Sequence, residues 1–331
     1  MEKNYMRNCQ IYGIMATLSV CACNSEETKW NDNTKEVTVV VSIPHHNAMT
    51  RVNIVQDPQT LALVPSWNDN DKIHTFATVD LNNRWETIAM TDLGEHEIGN
   101  ISSDRKKCEF NPGIDNDFGE EYKEKYGSAY QGKLLYGTCG RKAKVVETEV
   151  HMVANMYRTT TAEVLVPVWF EVKFERDFPE AVCQYVGTFE LLHIKNESDK
   201  DIVFRWDGYD AAEKWYYEYA TFMPHAHKAV ELHADDLEDD IQVDAITVIP
   251  SGEERTLVSW YVPSGKKFTN AALMATIDDK QVQSVNRKSS NSDIQQGHVY
   301  HLYANWDGTH LYIDNFCDSG LTLGDVVNVD L

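Results

Sequence analysis

Beyond its N-terminal segment, this 331-residue chain lacks long apolar runs, and it has no excess of positive charge. No later stretch reaches about 18 consecutive apolar residues, the length that a membrane-spanning helix needs, which excludes a protein with several such helices. The 52 acidic residues outnumber the 30 lysines and arginines and give a formal charge of −22. Such a surface repels nucleic-acid phosphates, so we expect no nucleic-acid partner.

Motifs for catalysis and metal binding are missing as well. There is no G-x-S-x-G turn, and residues 263–269 (PSGKKFT) lack the upstream glycine of a phosphate-binding loop. His225, His227 and His233 are interpreted as loop histidines, and the acidic segment 231–244 as a solvated loop. The sequence therefore predicts no enzyme, no metal site and no cofactor.

Zinc-type cysteine spacing is also absent. Four cysteines lie beyond the N-terminal segment, and no pair of them has the CxxC pattern: Cys108, Cys139, Cys183 and Cys317. A disulfide is permitted outside the cytoplasm, and Cys108 with Cys139 is the candidate pair. Four buried free thiols are the alternative.

What is present first is an export signal. Lys3 and Arg7 precede an apolar run, residues 11–20, that is too short to span a bilayer but suits the centre of a signal peptide. Small residues and two cysteines follow this run. Residues 1–22 resemble a bacterial lipoprotein signal, in which aliphatic and small residues precede the cysteine that receives the lipid.

This resemblance implies that Cys23 is acylated, because Val20 lies at the favoured distance and the small Ala22 directly precedes the thiol. Cys21, which has the bulkier Val20 directly before it, is the alternative. A secretory signal with incidental cysteines is a further interpretation. If Cys23 carries acyl chains such as palmitate, residues 23–34 form a polar tether to the outer membrane. The acidic residues of this tether resemble the surface-export signal of Bacteroidota lipoproteins.

Alternation of apolar and polar residues dominates the remaining chain. Residues 37–43 and 164–174 place apolar side chains at every second position, which is typical of half-buried strands. The best helix candidate, residues 120–130, is interrupted by Gly127. Many short strands separated by turn residues predict an all-β protein with little helix, built from β-sandwiches. We place one sandwich at residues 35–160 and a second at 161–331.

One hairpin is predicted in detail. The Asp-Gly pair at 307–308 favours a two-residue turn. That turn would place Ala304 opposite Leu311 and Leu302 opposite Ile313 on a buried face. A shift of one residue would mix the apolar and polar faces, so the pattern specifies the register.

Several segments resemble the domains of Bacteroidales fimbrillin-like surface lipoproteins. They are MTRVNI at 49–54, WNDNDKIHTF at 67–76, KLLYGTCG at 133–140, the segment 254–280 and the segment 297–313. The resemblance covers most of the mature chain, in patches. It implies two tandem sandwiches of transthyretin-like or immunoglobulin-like Greek-key topology. It also implies a non-catalytic surface lipoprotein that serves as a pilus subunit or as an adhesin.

In pilus-forming members of this family, proteolysis after an arginine removes the first strand, and a strand from a neighbouring subunit fills the groove. Arg51 matches that arginine by position. The resemblance therefore implies other pilus subunits as partners. In the alternative, Arg51 is a plain surface residue and the strand within 36–43 stays in place.

A second functional hypothesis comes from an aromatic segment at 205–222. Exposed Trp215, Tyr216, Tyr217 and Tyr219 would offer flat apolar faces for stacking on sugars or for packing on a host partner. The protein would then be a glycan-binding lipoprotein of a polysaccharide-utilisation system. In the alternative, Trp215, Tyr217 and Tyr219 line a core and Tyr216 lies outward.

Overall fold

Strands form almost all of the regular structure in a computed structural model of the chain, which confirms the all-β prediction. The structure describes residues 38–42, 53–56, 63–82, 88–114, 117–160, 163–165, 167–174, 180–226, 228–231 and 242–322. From Lys35 onward the chain forms one compact unit.

The strands are short and follow one another through tight connections. In chain order they are β1 (Val39–Ser42), β2 (Asn53–Gln56), β3 (Leu63–Ser66), β4 (Lys72–Leu81), β5 (Thr91–Glu97), β6 (Lys107–Phe110), β7 (Tyr130–Cys139), β8 (Ala143–Val146), β9 (Glu149–Val153), β10 (Tyr157–Thr159), β11 (Glu163–Leu165), β12 (Val168–Phe174), β13 (Ala181–Val182), β14 (Gln184–Tyr185), β15 (Thr188–Asn196), β16 (Ile202–Asp210), β17 (Tyr216–Tyr217), β18 (Ala220–Met223), β19 (Lys228–Glu231), β20 (Gln242–Asp244), β21 (Ile246–Ile249), β22 (Glu254–Pro263), β23 (Ala272–Ile277), β24 (Lys280–Gln283), β25 (His298–Trp306) and β26 (Leu311–Thr322).

Helix is confined to small elements. Helix α1 (Glu120–Tyr126) occupies the first part of the predicted segment, and 3₁₀ turns cover Gly127–Ala129 and Pro224–Ala226. The helix ends at Gly127, whose φ of 50° is readily adopted only by glycine. The glycine that interrupts the predicted helical segment is therefore the residue at which the helix ends.

The N-terminal part of the unit is a sandwich of two sheets. A five-stranded sheet has the order β14-β12-β7-β4-β5, and a three-stranded sheet has the order β13-β1-β6. An apolar core, here called the N-terminal core, contains residues of both sheets. Strand β12 shows why: Val168, Phe170, Val172 and Phe174 alternate into this core, as predicted. Trp169 points to the opposite face of the sheet and joins a different cluster.

The C-terminal part is a second sandwich. Its larger sheet has the order β20-β10-β22-β15-β25-β26, with β17 also paired to β22, and its smaller sheet has the order β21-β16-β23-β24. The core between them, the C-terminal core, includes Phe204, Trp206, Leu257 and Leu302. Strand β15 is buried at eight of its nine positions, because the larger sheet is covered on both faces.

A third core, the central cluster, joins the two sandwiches. It contains Phe76 and Trp169 from the five-stranded sheet, Phe189 and Trp260 from the larger C-terminal sheet, and Phe222 from a four-stranded sheet. That four-stranded sheet has the order β19-β18-β9-β8, and a separate small sheet has the order β11-β2-β3. The sandwiches are therefore linked by buried apolar contact.

Strand pairing crosses the predicted division at residue 160 in both directions. Strand β12, which follows that division, pairs with β7 over seven residues. Strand β10, which precedes it, pairs with β22 and β20 in the larger C-terminal sheet. The stretch just before that division contains β10, where Tyr157 and Arg158 are buried.

The predicted hairpin forms, with a register two residues away from the expected one. Trp306 lies opposite Leu311, and Ala304 lies opposite Ile313. The loop is longer than predicted because one carboxylate oxygen of Asp307 accepts the backbone N–H groups of Thr309 and His310, at 2.7 Å each. A shift of two residues keeps Ala304, Leu311 and Ile313 on the buried face, as predicted. A bulge then changes the register between Ala304 and Tyr303, so Leu302 lies opposite Phe316 and not opposite Ile313.

Candidate functional site

The first described strand lies between two others and completes the N-terminal sandwich. Strand β1 pairs antiparallel with β6, so that Val39 lies opposite Phe110 and Val41 opposite Cys108. On its other side it pairs parallel with the two-residue strand β13, where Val41 lies opposite Ala181. Strand β1 is thus the central strand of its sheet, although it comes before every other described strand in the chain.

The side chains of β1 alternate between the core and the surface. Val39 and Val41 are completely buried in the N-terminal core, whereas Val40 is half-buried on the other face. Burying a valine side chain contributes about 1.5–3 kcal/mol relative to leaving it exposed. These two valines therefore account for much of what holds β1 in its groove.

Polar contacts close the groove at the end of β1. The Lys107 ammonium lies 2.9 Å from the Glu180 carboxylate, which joins the residues beside β6 and β13. The backbone N–H of Cys183 donates to the Ser42 carbonyl at 2.8 Å. The ion pair is about 40% exposed on each side, so its contribution is small, on the order of 0.2–1 kcal/mol.

This geometry would leave a slot one strand wide if β1 departed. Strands β6 and β13 would then present unpaired backbone groups to each other across the space of a missing strand, about 10 Å. An extended segment with apolar residues at alternate positions could pair with both edges and bury its side chains in the same core. The site can therefore bind a strand, and in this structure the bound strand is the chain's own.

Three thiols lie in the N-terminal core, which forms the floor of this groove. Cys108, Cys139 and Cys183 are all buried and none of them forms a disulfide, so the predicted bond between Cys108 and Cys139 is not formed. Cys108 lies on β6 and Cys139 at the end of β7. Burial raises the pKa of the Cys108 and Cys183 thiols well above the ordinary range, which keeps them protonated. Cys317, on β26, forms no disulfide either.

The residues predicted for lipidation and cleavage lie outside the described residues. These are Cys23, the alternative Cys21, and Arg51. Their neighbours along the chain are described: β1 ends at Ser42, and β2 begins at Asn53. Arg51 therefore lies between the first two described strands, so a cut after it would separate β1 from the rest of the chain.

The aromatic segment does not form the predicted sugar-stacking surface. Trp215 is 0% exposed, and its Nε1–H donates to the Tyr261 hydroxyl at 3.2 Å. Tyr216 is also buried, at 4% exposure, and its ring packs on Trp215. The alternative assignment of faces is also inaccurate, because Tyr216 does not lie outward, while Tyr217 and Tyr219 are half-buried.

Two further findings concern the described residues alone. Within them no group of three histidine, cysteine or acidic side chains is placed to hold a metal ion. None of their helices is long and apolar enough to cross a membrane. Of the three predicted loop histidines, His225 is described, whereas His227 and His233 are not.

Sequence reasoning missed the partner strands of this site. Strand β13 is two residues long, and nothing in its sequence marks it as a strand. The ion pair of Lys107 with Glu180 joins residues that are far apart in the chain, so no local pattern could reveal it. The one available signal was the alternation of apolar and polar residues around β1. This pattern identified the strand that is bound, but not the residues of the groove that binds it.

No protein-family model matches the sequence, and no curated protein matches it. The fold is similar to that of solved structures from Bacteroidales. A candidate cell adhesion protein from Bacteroides ovatus is 9% identical and has a TM-score of 0.40, with 89% of this chain and 99% of that chain covered. A second one, from Bacteroides uniformis, is 10% identical and has a TM-score of 0.41, with 86% and 100% covered. A fimbrial protein from Bacteroides vulgatus is 11% identical and has a TM-score of 0.36, with 76% and 93% covered.

Proposed function

We propose that this chain is a lipid-anchored protein of the bacterial cell surface with a structural or adhesive role. In this proposal its first strand can be replaced by a strand of another subunit. The observation that carries the proposal is the position of β1, a central strand inserted between β6 and β13 over an apolar core. A central strand from the N-terminal end of a chain can leave its sheet without unthreading any other strand.

The short length of β1 fits this role. It pairs over four residues with β6 and over two with β13. Among the described residues, this pairing, the two buried valines and the Cys183–Ser42 hydrogen bond would hold it in place once the backbone is cut after Arg51. A donor strand of similar pattern that pairs over more residues would bind more tightly and displace it.

Anchoring and strand exchange are connected in this proposal. If Cys23 is acylated, the lipid and β1 lie on the same side of Arg51 in the chain. Cleavage would leave the body of the protein attached to the membrane through β1 alone. Displacement of β1 would then release the body and join it to a neighbouring subunit in one step.

The glycan-binding alternative loses its main support, because Trp215 and Tyr216 are buried. Tyr217 and Tyr219 are half-buried and do not provide a contiguous exposed aromatic patch with them. We therefore place the interaction site at the β1 groove and not at the aromatic segment.

The test follows the N-terminus and the assembly state of the protein on cells. Treatment with an arginine-specific protease is expected to produce a species that begins at Val52, measured by mass spectrometry. That species should form ladders on unboiled denaturing gels, because exchanged strands dissociate slowly. An Arg51→Gln variant should keep its N-terminal segment and remain monomeric.

Two results would contradict the proposal. One is a cleaved species that stays monomeric although β1 has dissociated. The other is ladder formation by Arg51→Gln at the wild-type level. Cys23→Ala tests the anchor separately: incorporation of labelled palmitate should stop, and if labelling persists, Cys21 is the acylated residue.

A further inference from the structure

A polar cleft opens beside the five-stranded sheet of the N-terminal sandwich. It has a volume of about 300 Å³ and is lined by the beginning of β4, the end of β7 and the turn that follows β7. His74, Thr138 and Glu95 form one row across its wall, since His74 lies opposite Thr138 on β7 and opposite Glu95 on β5. Ligand sites commonly are clefts with volumes in this range.

Arg141 is held at one side of the cleft by aromatic rings of the central cluster. Its guanidinium carbon lies 5.3 Å from the centre of the Tyr157 ring and 5.9 Å from that of Trp260. No carboxylate of the described residues pairs with it, and its buried Nε–H has no hydrogen-bond acceptor. An arginine without an acidic partner is unexpected in a chain that carries a net charge of −22.

Thr138 provides a second unsatisfied group in the wall of the cleft. It is 2% exposed, and its hydroxyl makes no hydrogen bond to the protein. A buried hydroxyl without a partner is unfavourable, so a ligand that satisfies it gains affinity. The neighbouring His74 cannot serve it through Nε2, which lies 2.6 Å from an oxygen of Asp92.

The charges around the cleft determine the sign of the ligand. Lys72, Arg141 and Lys142 supply three positive charges, and Asp71 and Glu95 supply two negative ones, so these five lining side chains carry a net charge of +1. A ligand with one negative charge is attracted by such a lining, whereas a zwitterion gains nothing from its net charge. Arginine binds carboxylates through two parallel hydrogen bonds.

We infer that this cleft binds a small hydroxylated carboxylate, such as a uronic acid residue of an acidic sugar. The carboxylate binds the Arg141 guanidinium, and Lys72 adds a second positive charge. A ligand hydroxyl hydrogen-bonds with the Thr138 hydroxyl, and others donate to Asp71 or Glu95. No residue of β1 lines the cleft, so strand exchange and sugar binding can be tested separately.

The test is a calorimetric titration of the full chain with D-glucuronate near neutral pH. We expect saturable binding to one site at millimolar concentration, weakened by added salt because the interaction is ionic. D-glucose, which has the same ring without the carboxylate, should not bind, and glycine should not compete. An absence of glucuronate binding, or competition by glycine at equal concentration, would overturn the inference.

Variants locate the site. Arg141→Gln should weaken glucuronate binding by about tenfold or more, because a hydrogen-bonded charge is lost. Thr138→Val keeps the side-chain shape and removes only the hydroxyl, so a several-fold loss is expected from a protein with unchanged folding. Arg255→Gln, which removes an exposed arginine paired with Glu253, is the matched control. Wild-type affinity in both Arg141→Gln and Thr138→Val would place the binding elsewhere and refute the assignment.

Discussion

Glu190 is a carboxyl group enclosed within the protein, on the long strand β15. The Tyr209 hydroxyl donates to one of its oxygens, the other oxygen has no hydrogen-bond partner, and the Arg158 guanidinium lies nearby. Burial raises the pKa of Glu190 to about 7, more than these interactions lower it. The group is therefore half ionised near neutral pH in the folded protein.

We predict that stability falls as the pH rises across this range. The pKa in the folded protein is higher than the ordinary glutamate value of 4.5, so the stabilising contribution is complete below pH 4.5 and is lost as the pH rises through about 7. The full effect is on the order of 3 kcal/mol. Urea denaturation of Glu190→Gln should show little of this decline between pH 5 and pH 8. An equally steep decline in Glu190→Gln would show that another group is responsible.

His193 predicts the opposite trend in acid. Its ring is buried, stacks on Tyr303 at 4.7 Å, and hydrogen-bonds through Nε2 with His301 Nδ1 at 2.8 Å. Burial, with a smaller contribution from His301, lowers the pKa of His193 to about 3. Because this pKa is lower than the ordinary histidine value of 6.5, the stability that the neutral ring supports is present above pH 6.5 and is lost as the pH falls towards 3.

The measurement is the urea midpoint of His193→Gln between pH 7 and pH 4. This variant should lose less stability on acidification than the wild type, because its neutral side chain takes up no proton. His310→Gln is the control, since His310 lies in the exposed hairpin loop. If the stabilities of the two variants fall equally on acidification, the burial of His193 does not cause the loss of stability in acid.

At the scale of elements, β1 allows a matched comparison of its two faces. Val41→Thr keeps the branched shape but places a hydroxyl in the N-terminal core, whereas Val40→Thr makes the same change on the half-buried outer face. We expect Val41→Thr to lower the free energy of unfolding by about 1–3 kcal/mol. Val40→Thr should stay within about 0.5 kcal/mol of the wild type, as surface changes do.

The readout is urea denaturation of the two uncleaved variants. Equal stabilities for Val40→Thr and Val41→Thr would mean that β1 does not occupy the groove in solution. Faster strand exchange of Val41→Thr after cleavage at Arg51 would show that the burial of Val41 slows the assembly of subunits.

The prediction of strands from sequence succeeded where one face of a strand is buried and the other is exposed to solvent. The alternation in β1, β12 and β25 identified these strands and the sides they bury. It could not identify β10, because the polar residues of that strand include a buried arginine, Arg158, that stacks over Trp206. The hairpin register was off by two because the contacts of Asp307 are properties of the folded loop.

At the scale of the whole molecule, each sandwich contains strands from both sides of residue 160. The five-stranded sheet and the larger C-terminal sheet are both apolar on two faces, because the central cluster lies between them. Period-two patterns report one buried face and give no information about a sheet that is covered on both sides. The cleft beside Arg141 also escapes such patterns, since it is built from three strands and a turn.

Gly187 connects the two sandwiches, between β14 of the five-stranded sheet and β15 of the larger C-terminal sheet. Its φ is +82°, and a Cβ atom there would lie 2.5 Å from Cζ2 of Trp260 and 2.7 Å from the Tyr261 carbonyl oxygen. The Trp260 indole is fixed by its Nε1–H, which donates to the Val186 carbonyl at 2.9 Å. A side chain at position 187 must therefore displace the Trp260 ring or the backbone at Tyr261.

We predict that Gly187→Ala destabilises the whole unit and not one sandwich alone. Gly252→Ala is the matched control, because Gly252 has a similar φ of +78° but open space around its Cα. Both variants carry a backbone penalty of about 1–2 kcal/mol, and Gly187→Ala carries in addition about 1–3 kcal/mol of overpacking against Trp260. In urea, Gly187→Ala should unfold in a single transition at a clearly lower midpoint than Gly252→Ala. Two separate transitions would show that the sandwiches unfold independently. Equal midpoints of the two variants would show that the residues around Gly187 move to accommodate the added methyl group. Either result contradicts a rigid connection through the central cluster.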